Sequence, residues 1–237
     1  MYRISVITAT FNSDKKLPVL IQSLQKQTDK KFEWIVVDGG SKDRTLDLLK
    51  EINDLDYKFI SESDFGIYDA LNKGIMKASG DFYLVIGSDD YLFPDAIENF
   101  KSALDDTVDV VAASVNFGGK IKKPGSGKSW LKGQFAYVAG HSTATLFRKS
   151  LHDKFGLYSR SFPIAADQLF INTIFNNNVN CKVADFVSGF FTLEGVSATD
   201  VAGTLSESFR VQLITEKSKL VQILLFLLRL LKNFRKL

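Results

Sequence analysis

Cysteine is nearly absent from this 237-residue sequence, which contains only Cys181. A single thiol excludes an internal disulfide framework and a metal-binding cysteine cluster, and it favours a reducing compartment. The N-terminal residues run directly into an apolar segment, without the basic region, long apolar stretch and small-residue cleavage site of an export signal, so we predict none. No internal repeat is visible. Hydrophobic residues make up 45% of the chain, which excludes bulk disorder and is enough for a sizeable core.

The net charge of the sequence is small, but the charged residues are unevenly distributed along it. The formal net charge is +3, yet residues 210–237 carry seven lysines and arginines against the single acidic residue Glu216, a net charge of +6. The rest of the chain therefore carries −3, the difference between these two totals. A slightly acidic body argues against a nucleic-acid-binding protein, and the basic end predicts a local anionic partner.

Apolar segments rich in β-branched residues alternate with segments of helical periodicity in the first half of the chain. Strands separated by helices of about ten residues are typical of a mostly parallel central sheet flanked by helices on both faces. The sequence therefore predicts an α/β fold. The predicted strands are 4–8, 32–37, 57–60, 82–86 and 108–115, and the predicted helices are 17–27, 45–55, 68–78 and 94–104.

Polar residues and glycines follow four of these strands at the point where each strand ends. They occupy residues 8–12, 38–41, 62–66 and 87–90. Ligands of parallel α/β sheets bind beyond the carboxyl ends of the strands. The sequence therefore predicts a binding site at this edge of the sheet.

Two adjacent aspartates, Asp89 and Asp90, follow the apolar strand 82–86. Adjacent carboxylates repel each other, and a divalent cation removes that repulsion; Mg²⁺ and Mn²⁺ prefer such oxygen ligands together with a diphosphate. The alternative interpretation is the N-terminal cap of a helix that Pro94 opens. Asp38 also has two interpretations, because the glycines after it allow a ribose or base to approach, but an ordinary turn has the same composition.

Four blocks of sequence, in this order and spacing, resemble the glycosyltransferase family 2 enzymes over roughly residues 3–195. The blocks are SVITATFN from residue 5, EWIVVDGGSKDRT from residue 33, DFGIYDALNKG from residue 64, and GD at residue 80 leading to SDD at residue 88. The resemblance implies the GT-A fold. It implies one domain at residues 1–200, with a nucleotide-sugar-binding half at 1–117 and an acceptor-facing half at 118–200.

The resemblance also implies roles for individual residues. Asp38 and Asp64 would face the base or ribose, Asp89 would lie near the ribose and diphosphate, and Asp90 would be the principal ligand of Mn²⁺ or Mg²⁺, with Asp89 beside it. Ser88 stands where the family carries the first aspartate of its Asp-any-Asp signature. Lys73 is a cation in reach of the same edge, although an exposed helix charge is the usual alternative. The predicted donor-binding residues are Thr8, Ala9, Asn12, Asp38, Asp64, Lys73, Ser88 and Asp89.

Two residues of the acceptor-facing half are candidates for the chemistry. Asp167 lies in a segment that resembles the family's acceptor-side motif, where an acidic residue opens a helix and serves as general base; a helix N-cap is the local alternative. His141 lies in a segment that resembles the region between the donor and acceptor sites. It is a candidate contact for the diphosphate, metal or acceptor, or a structural core histidine. The glycine- and lysine-rich residues 118–132 predict a hairpin or mobile loop.

The segment 201–237 is predicted to be helical, basic and amphipathic. Its apolar run in residues 217–237 is shorter than the roughly 20 residues that span a bilayer. We therefore expect an interfacial helix on an anionic membrane surface, with packing on the body or a homodimer as alternatives. This expectation places the protein in the cytoplasm, peripheral on the inner face of the cell membrane.

The resemblance and the residues together predict an inverting, metal-dependent glycosyltransferase. It would move a sugar from a nucleotide-diphosphate sugar to a saccharide or polyprenyl-linked saccharide, in bacterial surface polysaccharide assembly such as lipopolysaccharide or capsule. A nucleotidyltransferase is the first alternative, but residues 8–12 lack its basic glycine-rich loop. A non-catalytic saccharide-binding or scaffolding protein with the same fold is the second.

Overall fold

The computed structural model describes residues 2–192 and 199–236. Its first half alternates strands with helices, as the sequence predicts. Each strand ends within about three residues of its predicted end. The strands are β1 (Ile4–Thr10), β2 (Phe32–Asp38), β3 (Tyr57–Ser61) and β4 (Phe82–Val85), and the helices are α1 (Leu17–Gln25), α2 (Thr45–Lys50), α3 (Ile67–Lys77) and α4 (Ala96–Ser102).

These four strands are parallel neighbours in the order β3, β2, β1, β4. Both faces of the sheet are buried, since alternate residues of β2 enter two different hydrophobic cores. Ile35 and Val37 pack with α3, whereas Trp34 and Val36 pack with α1 and α2. This two-sided burial explains why β2 is apolar almost throughout.

The second half continues the same sheet with mixed pairing. Its elements are β5 (Tyr91–Leu92), β6 (Val110–Phe117), β7 (Lys120–Lys122), β8 (Thr145–Arg148), β9 (Cys181–Phe191), α5 (Ser129–Lys132), α6 (Leu151–Phe155) and α7 (Ala166–Asn176). Strand β8 is antiparallel to both β4 and β6, and β6 is parallel to β9, which also pairs with β5. Strand β7 folds back on β6 through Gly118 and Gly119, both at positive φ, so the hairpin predicted for this stretch is present.

Two further helices, α8 (Val201–Thr215) and α9 (Lys219–Asn233), follow the sheet. The Glu207 carboxylate on α8 accepts hydrogen bonds from the backbone N–H groups of Ile164 and Ala165, each at 2.9 Å, just before α7 begins. The rings of Phe209 and Phe226 stack at 4.3 Å between α8 and α9. The C-terminal helices therefore hold the start of α7 in place. No helix among the described residues is long and apolar enough to cross a membrane.

Strand β9 begins with Cys181, whose side chain is partly covered by the core on which it packs. Burial raises the pKa of its thiol to about 11. The thiolate is the reactive form of cysteine. The single cysteine of the chain is therefore a packing residue in this fold.

Candidate active site

A cavity of about 420 Å³ lies beyond the carboxyl ends of β1 and β4. Side chains from both halves of the chain line it. The described residues around it include five that the sequence singled out: Ala9, Asp89, Asp90, His141 and Asp167. The fold therefore brings the predicted base and the predicted metal-ligand pair to one space.

Asp90 is the most buried carboxylate of this cavity, with 2% of its surface exposed. Its Oδ1 accepts the backbone N–H of Thr192 at 2.8 Å, and its Oδ2 accepts the hydroxyls of Ser142 at 3.2 Å and Thr143 at 3.1 Å. Burial, aided by the negative charge of Asp89, outweighs these hydrogen bonds and raises the pKa of Asp90 to about 6. The ionised form of Asp90 is therefore destabilised in the fold when no cation is bound.

Asp89 and Asp90 converge beside Gly87. A methyl group added at Gly87 would lie 2.9 Å from Asp89 Oδ1 and 2.9 Å from Asp90 Oδ2, so glycine keeps open a space that both carboxylates face. Asp89 is more exposed and lies 3.6 Å from the ammonium of Lys16. Two oxygen donors beside an open space fit Mg²⁺ or Mn²⁺. The described residues contain no group of three or more histidine, cysteine or acidic side chains arranged as a metal site, so further ligands would have to come from substrate or water.

Asp167 opens α7 and faces the cavity from the second half of the chain. The hydroxyl of Tyr68 donates to its Oδ1 at 2.7 Å, and the side-chain amide of Gln134 lies 3.4 Å from its Oδ2. Burial and the negative charge of Asp167 raise the pKa of Tyr68 well above its usual value, so the tyrosine remains a neutral donor. The carboxylate is thus held at both oxygens while keeping acceptor capacity for a substrate hydroxyl.

His141 lines the same cavity and is 7% exposed. Its Nε2 lies 2.6 Å from the hydroxyl of Tyr158, and its ring packs against Phe147. Burial lowers the pKa of His141, although the charge of Asp167 opposes that shift. The residue is therefore both a core histidine and a wall of the cavity, which joins the two interpretations that the sequence left open.

The predicted nucleotide-binding residues lie beside this cavity, at the ends of β1 to β3. Asp38 is fully buried, and its carboxylate accepts the backbone N–H groups of Gly40 and Ser41 and the hydroxyl of Ser61. These hydrogen bonds stabilise the turn that follows β2. Asp38 therefore has the turn role that the sequence left open as the alternative. Asp64 is partly exposed, and its Oδ1 accepts the N–H of Gly66 at 2.9 Å.

Asp64 also approaches Gly39, where an added methyl group would meet its Oδ2 at 2.8 Å. The side chain of Asn12, a residue at φ 47°, accepts the N–H of Lys42 at 2.9 Å. Together these contacts form a rim of turns at the ends of β1 to β3. Asp64 therefore has fewer bonds within the protein than Asp38.

Three other predicted donor-binding residues are occupied by protein contacts. Thr8 is fully buried and accepts the indole N–H of Trp34 at 3.0 Å. The Ser88 hydroxyl lies 3.1 Å from that of Ser13. Lys73 lies 2.9 Å from Glu62 and 3.3 Å from Asp69. None of the three lines the cavity among the described residues.

Sequence reasoning missed several residues that build the site. Tyr68 and Gln134 hold Asp167, and Ser142, Thr143 and Thr192 hold Asp90. Tyr68 lies inside the block that resembles the family, so its position carried a signal. The partners of Asp90 lie more than 50 residues away in the chain, and nothing local identifies them.

An open α/β sheet with an aspartate pair beyond its central strand and a third carboxylate across the cavity is the architecture of the GT-A fold. Residues 5–175 match the Glycosyl transferase family 2 family, so the chain belongs to glycosyltransferase family 2. It is 29% identical over 179 residues to the putative glycosyltransferase EpsH of Bacillus subtilis, covering 69% of this chain and 51% of EpsH.

It is 39% identical over 92 residues to a PGL/p-HBAD biosynthesis glycosyltransferase of Mycobacterium bovis, covering 38% of this chain and 36% of that protein. The chain thus spans about a third to a half of the length of these curated relatives.

Solved structures share the fold. S. aureus TarS 1-349 in complex with UDP superimposes with a TM-score of 0.69 at 24% identity, covering 98% of this chain and 72% of TarS 1-349. The mannosyltransferase PcManGT from Pyrobaculum calidifontis, in complex with GDP-Man and Mn²⁺, superimposes with a TM-score of 0.68 at 15% identity, covering 99% of this chain and 75% of that one. The predicted fold class is confirmed.

Proposed function

We propose that this chain is an inverting glycosyltransferase that moves a sugar from a nucleotide-diphosphate sugar to a hydroxyl of a saccharide or polyprenyl-linked saccharide. The observation that carries the proposal is the single cavity faced by Asp89 and Asp90 from one half and Asp167 from the other. The complexes of TarS with UDP and of PcManGT with GDP-Man and Mn²⁺ support a nucleotide-sugar donor.

Asp167 is the proposed general base. The bonds from Tyr68 and Gln134 hold its carboxylate, which takes the proton of the acceptor hydroxyl as that oxygen bonds to the anomeric carbon. The bond from the anomeric carbon to the diphosphate oxygen breaks in the same step, and its electron pair leaves with the nucleoside diphosphate. Attack opposite the leaving group gives inversion. Asp89 and Asp90 would hold Mn²⁺ or Mg²⁺, which neutralises charge on the departing diphosphate when bound.

The neighbouring rim would receive the nucleotide. Asp64 is our proposed contact for the base or ribose, with Asn12 and the glycines of the β2 turn beside it. Asp38 would act through that turn, because its carboxylate is already bonded within it. We assign Thr8, Ala9, Ser88 and Lys73 supporting roles in the shape of this donor site.

Release of nucleoside diphosphate from UDP-GlcNAc and GDP-mannose, with and without Mn²⁺, tests the proposal. We expect metal-dependent release that Asp167→Asn lowers by roughly 10² or more. Asp153→Asn, an exposed aspartate in the first turn of α6, is the matched control and should not change the rate. Full activity of Asp167→Asn would refute the assignment of the base. Pyrophosphate formed from a nucleoside triphosphate and a sugar phosphate would instead indicate a nucleotidyltransferase.

The orientation of the C-terminal helix α9 supports a proposal about where the protein binds its acceptor. Helix α9 turns two of its polar residues toward the body: the Gln222 amide donates to the carbonyl of Trp130 at 2.9 Å, and Arg229 donates to Gln212 and to the carbonyl of Leu131. The apolar residues face outward, with Leu224, Leu228 and Leu231 between 54% and 73% exposed. An amphipathic helix that packs only on the body has the opposite orientation.

An anionic lipid surface is the occupant that this face fits. Helix α9 contains no acidic residue, and its apolar face is flanked by the exposed cations Lys217, Lys219, Lys232 and Arg235. Apolar area next to clustered lysine and arginine is the composition that binds anionic membranes. The helix is bonded to α5, which leads into Gln134 and Phe135 on the cavity wall. We therefore propose that this face rests on the membrane that carries a lipid-linked acceptor.

Co-sedimentation with vesicles tests the membrane contact. We expect binding to vesicles of phosphatidylglycerol and phosphatidylcholine, weaker binding to phosphatidylcholine alone, and loss of binding in the double variant Leu224→Glu, Leu228→Glu. Val19→Glu, at a residue 52% exposed on α1, is the control with one new charge on another face. Equal binding by the double variant would refute the contact. A concentration-dependent dimer in the absence of lipid, abolished by the same variant, would assign the face to a second copy.

A further inference from the structure

Four buried side chains form an unbroken hydrogen-bonded chain that starts at the cavity. His141 Nε2 lies 2.6 Å from the Tyr158 hydroxyl, which lies 2.8 Å from the Tyr83 hydroxyl. The Tyr83 hydroxyl lies 2.7 Å from His152 Nε2, and His152 Nδ1 lies 2.9 Å from the carbonyl oxygen of Gly156. These four residues are each 7% exposed or less. The sequence has only these two histidines, and the chain joins them.

The far end of the chain fixes the direction of every bond in it. A carbonyl oxygen only accepts, so His152 Nδ1 carries a proton and donates it to Gly156. A neutral His152 then has a bare Nε2 that accepts the proton of Tyr83. The Tyr83 oxygen accepts the proton of Tyr158, and the Tyr158 oxygen is left to accept a proton from His141 Nε2. His141 must therefore carry its proton on Nε2.

Burial keeps each member of the chain neutral. It lowers the pKa of His152 to about 4 and also lowers the pKa of His141. It raises the pKa of Tyr83 and that of Tyr158 above the usual range of tyrosine. Neutral imidazoles have one donor and one acceptor nitrogen, so the argument on bond direction holds at neutral pH.

The second nitrogen of His141, Nδ1, is then a bare acceptor. It has no hydrogen-bond partner among residues 2–192 and 199–236. This nitrogen is not fully enclosed by protein atoms. Because His141 lines the cavity, its Nδ1 lies at the cavity surface. The cavity wall beside it includes Asp89, Asp90 and Asp167.

We infer that Tyr158, Tyr83 and His152 are positioning residues that hold His141 in the Nε2–H tautomer, so that its Nδ1 accepts a hydrogen bond from a sugar hydroxyl in the cavity. The inference rests on the proposed transfer of a sugar in this cavity. The opposite tautomer would present an N–H to the cavity, which cannot accept a hydroxyl proton. As a neutral hydrogen-bond acceptor, His141 orients the sugar without adding a fourth negative charge to the cavity that Asp89, Asp90 and Asp167 already line.

The tautomers are measurable without any substrate. Long-range ¹⁵N–¹H correlation spectra of the ¹⁵N-histidine-labelled full chain distinguish the protonated from the bare ring nitrogen, and His152→Gln assigns the two rings. We expect His141 as the Nε2–H form and His152 as the Nδ1–H form, opposite tautomers in one protein. A His141 ring that is protonated on Nδ1, or on both nitrogens, at pH 7.5 would overturn the inference.

Tyr83→Phe tests whether the chain sets the tautomer. The variant removes one oxygen from the core, leaves His152 bonded to Gly156, and frees the Tyr158 hydroxyl to rotate. We expect His152 to keep its tautomer and His141 to become a mixture of both forms. Tyr57→Phe is the control, because its hydroxyl bonds the Leu49 carbonyl outside the chain. An unchanged His141 tautomer in folded Tyr83→Phe would overturn the positioning role.

Kinetics with the better of UDP-GlcNAc and GDP-mannose test the hydroxyl contact. If the competent tautomer falls to about half, KM in Tyr83→Phe rises about twofold with kcat little changed. His141→Asn keeps a polar atom near the position of Nδ1, whereas His141→Gln keeps one near Nε2. We expect His141→Asn to have a lower KM than His141→Gln. A lower KM for His141→Gln would show that His141 serves only through its hydrogen bond at Nε2, which is a structural role. If the tautomers are as expected but neither UDP-GlcNAc nor GDP-mannose is turned over, the result would contradict the proposed function. It would leave the role of the hydrogen-bonded chain intact.

Discussion

Tyr68 and Asp167 come from opposite halves of the sequence and meet at one hydrogen bond of 2.7 Å. Tyr68 is partly buried and lines the cavity, and burial of its hydroxyl together with the charge of Asp167 raises its pKa well above the usual value. The tyrosine thus remains a neutral donor at neutral pH. This single bond ties α3, which follows the nucleotide rim, to α7, which carries the proposed base.

Tyr68→Phe should lower kcat roughly tenfold, because a hydrogen bond to a charged group is lost and the carboxylate is less well held. KM for the nucleotide sugar should change little, since Tyr68 acts through Asp167 and is assigned no contact with the nucleotide. Steady-state rates of nucleoside diphosphate release check this. Tyr137→Phe, whose ring stacks on Phe175, is the matched tyrosine control. An unchanged kcat in Tyr68→Phe would show that this bond does not support Asp167.

Asp90→Asn should abolish metal-dependent transfer and yet stabilise the metal-free protein. The pKa of Asp90 is raised from 3.8 to about 6 in the fold, so its ionised form costs roughly 3 kcal/mol. That cost is absent below pH 3.8, grows as the pH rises towards 6, and is complete above it. Urea unfolding in EDTA at pH 4 and pH 8 checks this: the variant's advantage should appear only at pH 8. An equal advantage at both values would contradict the pKa assignment.

Asp38 and Asp64 should separate into a folding role and a binding role. Asp38→Ala removes the acceptor of the partly buried N–H of Gly40 and the buried N–H of Ser41 in the turn after β2, and it should cost about 3 kcal/mol of unfolding free energy. Asp64→Ala removes one partly exposed bond and should leave the melting temperature within a few degrees of the original. Calorimetry of UDP or GDP binding should show loss of affinity in Asp64→Ala at unchanged fold. Wild-type affinity in that variant would remove Asp64 from the nucleotide site.

Glu33 should make the fold sensitive to acid. Its carboxylate is 1% exposed; burial alone would raise its pKa, but the bonds from Ser5 and from the backbone and hydroxyl of Ser79, with the charge of Arg3, lower it overall. A depressed pKa contributes stability above the ordinary value of 4.5 and loses it as the pH falls below. Glu33→Gln should cost about 2 kcal/mol at pH 7 and progressively less below pH 4.5. A constant difference across urea unfolding curves from pH 7 to pH 3 would contradict this.

The order of strands and helices could be predicted because each strand of the first half is a short apolar run that ends in turn residues. The sequence around Asp89 and Asp90 was informative for the same reason, since the end of a parallel strand is where a ligand is expected. Periodicity could not reveal that β8 inserts antiparallel between β4 and β6, because its four residues have no distinctive pattern. Mixed pairing of this kind depends on tertiary packing.

The roles of single polar residues were harder to predict than their positions. Asp38 lies at the predicted strand end, but its bonds to Gly40, Ser41 and Ser61 depend on a turn geometry that composition does not give. The orientation of α9 was also beyond the sequence. Its hydrophobic periodicity predicts an amphipathic helix, but only the bonds of Gln222 and Arg229 to the body show which face turns outward.

The covered thiol at the start of β9 makes the chain convenient for spectroscopic labelling. With a pKa of about 11, Cys181 presents almost no thiolate to a maleimide or nitroxide reagent at neutral pH. A cysteine engineered at the exposed Leu224 or Leu228 should therefore react selectively in an otherwise natural sequence. A polarity-sensitive probe attached there would report directly whether the outer side of α9 rests in water, against lipid or against protein.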